Sequence, residues 1–89
     1  MKSFSVEYDE KAKKKLEKMD MSVRKRIYAW VEKNLKGCDN PRLRGKPLEG
    51  KLSGYWRYRV GDFRLIADIQ DDKIIILIVN VDKRNDIYK

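Results

Sequence analysis

The sequence predicts an α+β fold: an N-terminal strand and a helical hairpin packed on a small antiparallel β-sheet. Three observations lead there. Apolar residues recur at helical spacing twice between residues 9 and 36, and alternate at strand spacing over residues 3–8 and 55–60. The stretch 74–79 is apolar at every position, as a strand buried on both faces would be. The chain has 89 residues, enough for one core, so 1–89 is expected to form a single domain.

Ser3 to Tyr8 sets Phe4, Val6 and Tyr8 against Ser3, Ser5 and Glu7, which reads as a short strand. Asp9 is placed to cap a helix to about Met19, with Ala12, Leu16 and Met19 on one stripe. Lysines 11, 13, 14, 15 and 18 cover the rest of it. A second helix starts at Asp20 or Ser22 and runs to about Lys36. Its apolar face is Val23, Ile27, Trp30, Val31 and Leu35, and Gly37 is the expected stop. The short link predicts an antiparallel helix pair. Asp39 to Gly54 carries loop signals: Asn40-Pro41, Gly45, Lys46-Pro47 and Gly50. Three strands follow, Tyr55–Val60, Phe63–Gln70 and Lys73–Val81. Gly61-Asp62 and Asp71-Asp72 have the form of two-residue hairpin turns, the first suiting type II′. The last strand should be buried and central.

Composition narrows the chemistry. Lys and Arg total 22 against 14 Asp and Glu, a net charge of +8. A balance this basic points to an anionic partner, nucleic acid foremost. There is no His, which excludes His acid–base pairs, His-metal sites and a Ser-His-Asp triad. The single Cys38 makes no internal disulfide and no Cys-rich zinc site; it reads as a half-buried reduced thiol. No apolar run reaches membrane-spanning length and MKSFSVEYDE has no signal-peptide core, so a cytoplasmic protein without a membrane partner is expected.

The most specialised stretch is Tyr55–Val60. Trp56, Tyr58 and Val60 point one way, toward the core, while Arg57 and Arg59 point the other. A two-residue Gly61-Asp62 turn sets Val60 opposite Phe63 and Arg59 opposite Arg64. Three arginines then share one face, two of them directly across from each other. Like charges so placed cost up to roughly 1 kcal/mol. Asp62 and Asp68 are possible internal partners; phosphate is the alternative, which the planar guanidinium fork suits. The chain then ends in Asp82-Lys83-Arg84-Asn85-Asp86-Ile87-Tyr88-Lys89.

Arg44-Gly45-Lys46-Pro47-Leu48, Gly54-Tyr55-Trp56-Arg57-Tyr58-Arg59-Val60-Gly61-Asp62-Phe63-Arg64-Leu65-Ile66, Val81-Asp82-Lys83-Arg84 and Asp86-Ile87-Tyr88 together resemble the RelE branch of the RelE/ParE toxin superfamily. The resemblance covers nearly the whole chain, and its specific part is GYWRYRVGDFRLI. It implies the toxin of a type II toxin–antitoxin pair, a ribosome-dependent endoribonuclease that cuts mRNA in the A site of the 70S ribosome. In that chemistry the ribose 2′-OH attacks the adjacent phosphate, leaving a 2′,3′-cyclic phosphate and a 5′-OH. The resemblance also implies a cognate antitoxin and contacts with rRNA, and no metal or organic cofactor.

Carried over by position, Arg57 and Arg59 fall where the family places basic residues that bind phosphate. Arg64 matches the arginine that holds the scissile phosphate as negative charge builds. Arg84 matches the stabiliser or proton donor to the leaving oxygen, and Tyr88 the general base toward the 2′-OH. Unperturbed tyrosine titrates near 10 and arginine above 12, so nearby positive charge must favour tyrosinate and positioning must supply much of the rate. Asp82-Lys83 departs from the Gly-His or Gly-Lys of many relatives, and the acidic side chain stands where it can pair with Arg84. Two other readings remain at this level. One is a ParE-like toxin acting on DNA gyrase; the other is a non-catalytic RNA-binding module that uses the lysine-rich helix.

Overall fold

The computed structural model describes residues 2–83. In chain order the elements are β1 (Ser5–Tyr8), α1 (Glu10–Glu17), α2 (Met21–Asn34), β2 (Lys46–Pro47), β3 (Trp56–Val60), β4 (Phe63–Gln70) and β5 (Ile75–Lys83). The five strands form one sheet in the order β1-β5-β4-β3-β2. The predicted α+β architecture is present, and the sheet is antiparallel except at one edge. There β1 lies parallel to β5, Ser5 beside Ile75 and Tyr8 beside Ile78. A strand separated from its neighbour by the rest of the domain is free of the hairpin constraint that forces antiparallel pairing.

The helices cover one face. α1 lies against β5 and α2 against β3. The Asp9 side chain accepts a hydrogen bond from the Ala12 N–H at 2.9 Å, the expected N-cap. Asp20 stands at the N-cap of α2 without a side-chain bond to it. Ala12 and Leu16 of α1, Ile27 and Val31 of α2, and Leu35 just beyond it meet Tyr58, Val60, Leu65, Ala67, Ile76, Ile78 and Val81 in one buried core. Trp56, Phe63, Trp30, Val23 and the half-buried Cys38 pack around it.

The helices end two residues earlier than the sequence reading, at Glu17 and Asn34, and the larger differences concern β5 and the loop before β3. β5 begins at Ile75, because Asp71–Ile74 form a four-residue turn in which Ile74 takes φ 57°, rather than the two-residue Asp71-Asp72 turn. It also runs to Lys83, two residues past Val81, since Arg64 and Phe63 of β4 still pair with Asp82 and Lys83. β5 is interior, between β1 and β4, but β4 is the middle strand. Its second face is only half covered, at Ile75, Leu77 and Val79. The loop Asp39–Gly54 hides β2 and a single 3₁₀ turn at Gly50–Leu52.

Tyr58 has a structural role at the centre of this core. Its ring is fully buried and its hydroxyl donates to the Pro41 carbonyl at 2.6 Å, tying the loop after α2 to the sheet. Arg42 adds a second tie, a two-pronged pair with Asp71 at 2.9 and 2.8 Å. Tyr58→Phe leaves the Pro41 carbonyl buried without its donor and is expected to cost about 1–3 kcal/mol in urea unfolding at pH 7. Burial also pushes the Tyr58 and Tyr8 hydroxyls up from their ordinary value. The folded state keeps these protons after unfolded tyrosine releases them near pH 10, so stability falls as pH rises beyond that point. Melting curves at pH 9 and 11 check the sign, and the drop should be smaller in Tyr58→Phe.

Candidate active site

The hairpin that carries the arginines folds as its residues require. Gly61 takes φ +58° while Asp62 stays out of the positive-φ region, the pattern of a type II′ turn. Val60 therefore faces Phe63 and Arg59 faces Arg64, as the spacing predicts. On the next row, Lys46 of β2 pairs with Arg57, and Arg57 with Ile66. The face away from the helices thus carries four cations over three adjacent strands: Lys46, Arg57, Arg59 and Arg64.

Among the described residues these arginines have no acidic partner. The expected partners fail: Asp68 accepts a hydrogen bond from Gln70 Nε2 at 3.0 Å, and Asp62 makes no ion pair among the described residues. The ion pairs among the described residues are Lys15–Asp82, Lys36–Glu32 and Arg42–Asp71, none involving this face's arginines. Arg64 bears the largest penalty. Its Nε is buried and has no hydrogen-bond partner among the described residues. A buried donor left unpaired costs on the order of 1–3 kcal/mol, so the fold keeps this group at its own expense.

Beside Arg64 a cleft of about 310 Å³ opens between the start of α1, Tyr55 and the end of β5. Arg64, Ile66, Asn80 and Asp82 line it; Arg57 and Arg59 stand outside, on the adjoining strand. A β-bulge makes this arrangement possible. Ile66 pairs with Asn80 and Ala67 with Ile78, so Val79 is the extra residue. The bulge reverses the alternation of β5. Before it, Ile76 and Ile78 point into the core; after it, Val81 does, and Asn80 and Asp82 turn to the arginine face. Strict alternation would have driven both polar side chains into the core.

Asp82 does not stand free at this site. Its Oδ1 pairs with Lys15 Nζ at 2.8 Å and its Oδ2 accepts from Asn80 Nδ2 at 2.9 Å. Asn80 Oδ1 in turn accepts the Val81 N–H at 2.9 Å, which sets the amide's orientation. Both oxygens of Asp82 therefore have partners other than Arg84. Arg84 and Tyr88 themselves lie outside the described residues.

Trp56 packs against the core, as its alternation with the arginines predicts. It is half-buried against the core, and its Nε1 donates to the Arg44 carbonyl at 2.6 Å. Sequence reasoning did not mark Tyr55 or Asn80. Tyr55 has the same parity as Arg57 and Arg59, a signal that could have found it. Asn80 has no such signal, because its direction depends on the bulge. Chemically, the face offers planar cations for a phosphate next to a cleft with one aromatic wall and amide and carboxylate groups. Among the described residues no cluster of His, Cys, Asp or Glu could hold a metal ion. No helix among them is long and apolar enough to cross a membrane.

Known proteins are similar to this chain in sequence and fold. A family model described as the ParE toxin of the type II toxin-antitoxin system parDE matches residues 6–88. A RelE-like toxin protein of Escherichia coli is 32% identical over 88 residues, covering 96% of this chain and 90% of that protein. The mRNA interferase toxin RelE of Escherichia coli K12 is 25% identical over 83 residues, covering 92% of this chain and 84% of its own length. Among solved structures, the toxin–antitoxin complex RelBE2 from Mycobacterium tuberculosis holds a chain similar at TM-score 0.82 and 27% identity, covering 92% of this chain and 99% of that one.

Proposed function

This chain belongs to the RelE-type toxins of the RelE/ParE superfamily of type II toxin–antitoxin systems, and from that premise we propose that it is a ribosome-dependent endoribonuclease cutting mRNA in the A site. The observation that carries the reading is the row of arginines without acidic partners among the described residues, with Arg64 at the edge of the cleft. Arg57 and Arg59 bind the mRNA backbone, and Arg64 holds the scissile phosphate. The 2′-OH oxygen attacks phosphorus as Tyr88 takes its proton. The bond from phosphorus to the 5′ oxygen breaks, and Arg84 stabilises or protonates that oxygen. A 2′,3′-cyclic phosphate and a 5′-OH remain. The partner that restrains the toxin is a cognate antitoxin, as in the complexes of similar chains.

Primer extension on mRNA in a purified translation system tests this. Cuts confined to A-site codons are expected from the wild type, and Tyr88→Phe should slow them about a hundredfold or more, the scale of a lost general base. Normal cutting by Tyr88→Phe would remove the base assignment while leaving the class intact. The name of the matching family model favours a second reading, gyrase inhibition by a ParE-like toxin. Intact translation with supercoiling inhibited would select it.

A further inference from the structure

Arg64 and Asp82 are direct cross-strand partners on β4 and β5. Opposite charges in that placement ordinarily pair. Here no such pair is present; Lys15 holds Oδ1 of Asp82 and Asn80 holds Oδ2. Lys15 comes from α1, 67 residues away in sequence. Its pair with Asp82 leaves the two side chains 38% and 32% exposed, a setting in which ion pairs add little to stability. Its greater effect is on the charge facing Arg64. An unrestrained Asp82 would be a neutralising carboxylate directly across the ladder, and it would compete with a phosphate for the guanidinium.

We propose that Lys15 is a positioning residue that sequesters Asp82 and so keeps Arg64 available to a phosphate. Asn80 fixes the other carboxylate oxygen, with its own amide oriented by the Val81 N–H. The inference rests on the reading of Arg64 as a phosphate-binding residue. It makes no use of Arg84 or Tyr88. It also gives the acidic residue in the Asp82-Lys83 pair a defined neighbour in this chain.

The test compares the wild type, Lys15→Met, Asp82→Asn and the double variant by NMR, with the Arg64 Nε–H resonance assigned through its loss in Arg64→Ala. In the absence of phosphate, that resonance should shift in Lys15→Met as Arg64 engages Asp82, and return in the double variant. Titrated with inorganic phosphate at low salt, Lys15→Met should bind about tenfold more weakly. The double variant should return to within about twofold of wild type, and Asp82→Asn alone should bind at least as well. Unchanged binding in Lys15→Met would overturn the proposal. So would a double variant as weak as Lys15→Met, since Lys15 would then be an anion contact itself. No phosphate-dependent shift of Arg64 in any variant would remove the role of Arg64 and the inference with it. Primer extension with the same four proteins separates the two claims. The expected NMR pattern without mRNA cutting by the wild type upholds the Lys15 role and discards the endonuclease.

Discussion

Replacing Arg64 with alanine is expected to lower A-site cleavage by about 10²–10³-fold, the loss seen when one preorganised donor to developing charge is removed. The middle strand of the sheet carries this side chain, so its position is set by pairing on both sides, with Arg59 and with Asp82. The same variant should fold as well as the wild type or better. Its buried Nε has no partner among the described residues to lose, and deleting an unpaired buried donor relieves a desolvation cost. A melting temperature equal to or above wild type, together with lost cutting, identifies a functional group rather than a structural one. Arg64→Lys should fall nearly as far, because an ammonium cannot reproduce the planar fork. Arg59→Ala should lose less, since Arg59 is exposed at the hairpin end, outside the cleft. Equal losses at Arg59 and Arg64 would show a diffuse basic surface in place of a defined phosphate position.

The largest effect on stability is expected at Gly45. Its φ is +78°, and a Cβ there would stand 2.1 Å from the Arg57 carbonyl oxygen and 2.9 Å from Trp56 Nε1. The first clash is with backbone, which cannot swing aside. Gly45→Ala therefore combines left-handed strain with overpacking, roughly 2–4 kcal/mol in all. For a domain of this size that is a fall of roughly 10–30 °C in melting temperature. The strain is relieved only by moving β2 off β3, which separates Lys46 from Arg57 and breaks the Trp56 bond to the Arg44 carbonyl. By contrast Gly50→Ala has open space around the added methyl and only its positive φ to pay for. Thermal melts of the two variants side by side measure the steric part. A Gly45→Ala protein as stable as Gly50→Ala would show that the close approach is absent in solution.

The legible part of this protein is local. Alternation of Trp56, Tyr58 and Val60 with Arg57 and Arg59 states which side faces the core, and Gly61-Asp62 states where the hairpin turns. Together they determine the Arg59–Arg64 pair from the sequence alone. The helices follow from the spacing of Ala12 and Leu16, and of Ile27, Val31 and Leu35, every one of them buried. In each case the deciding neighbours lie within a few residues along the chain. The same reasoning misplaced the start of β5, because it had no way to see that Ile74 would accept a positive φ in a longer turn.

Tertiary structure decided which polar groups meet the arginines. Asn80 and Asp82 reach that face only because β4 pairs with β5 on both sides of Val79, and the strand bulges to keep Ile78 and Val81 in the core. The pairing of Asp82 with Lys15, and not with an arginine, depends on α1 docking against β5. The parallel seat of β1 likewise follows from closing the sheet around the finished core. Alternation, caps and turn chemistry are near-neighbour energies, written in the sequence where they act. A bulge and a long-range ion pair are settled by competition among distant surfaces for one core, so this chain's sequence determined its arginine row and its fold decided what surrounds it.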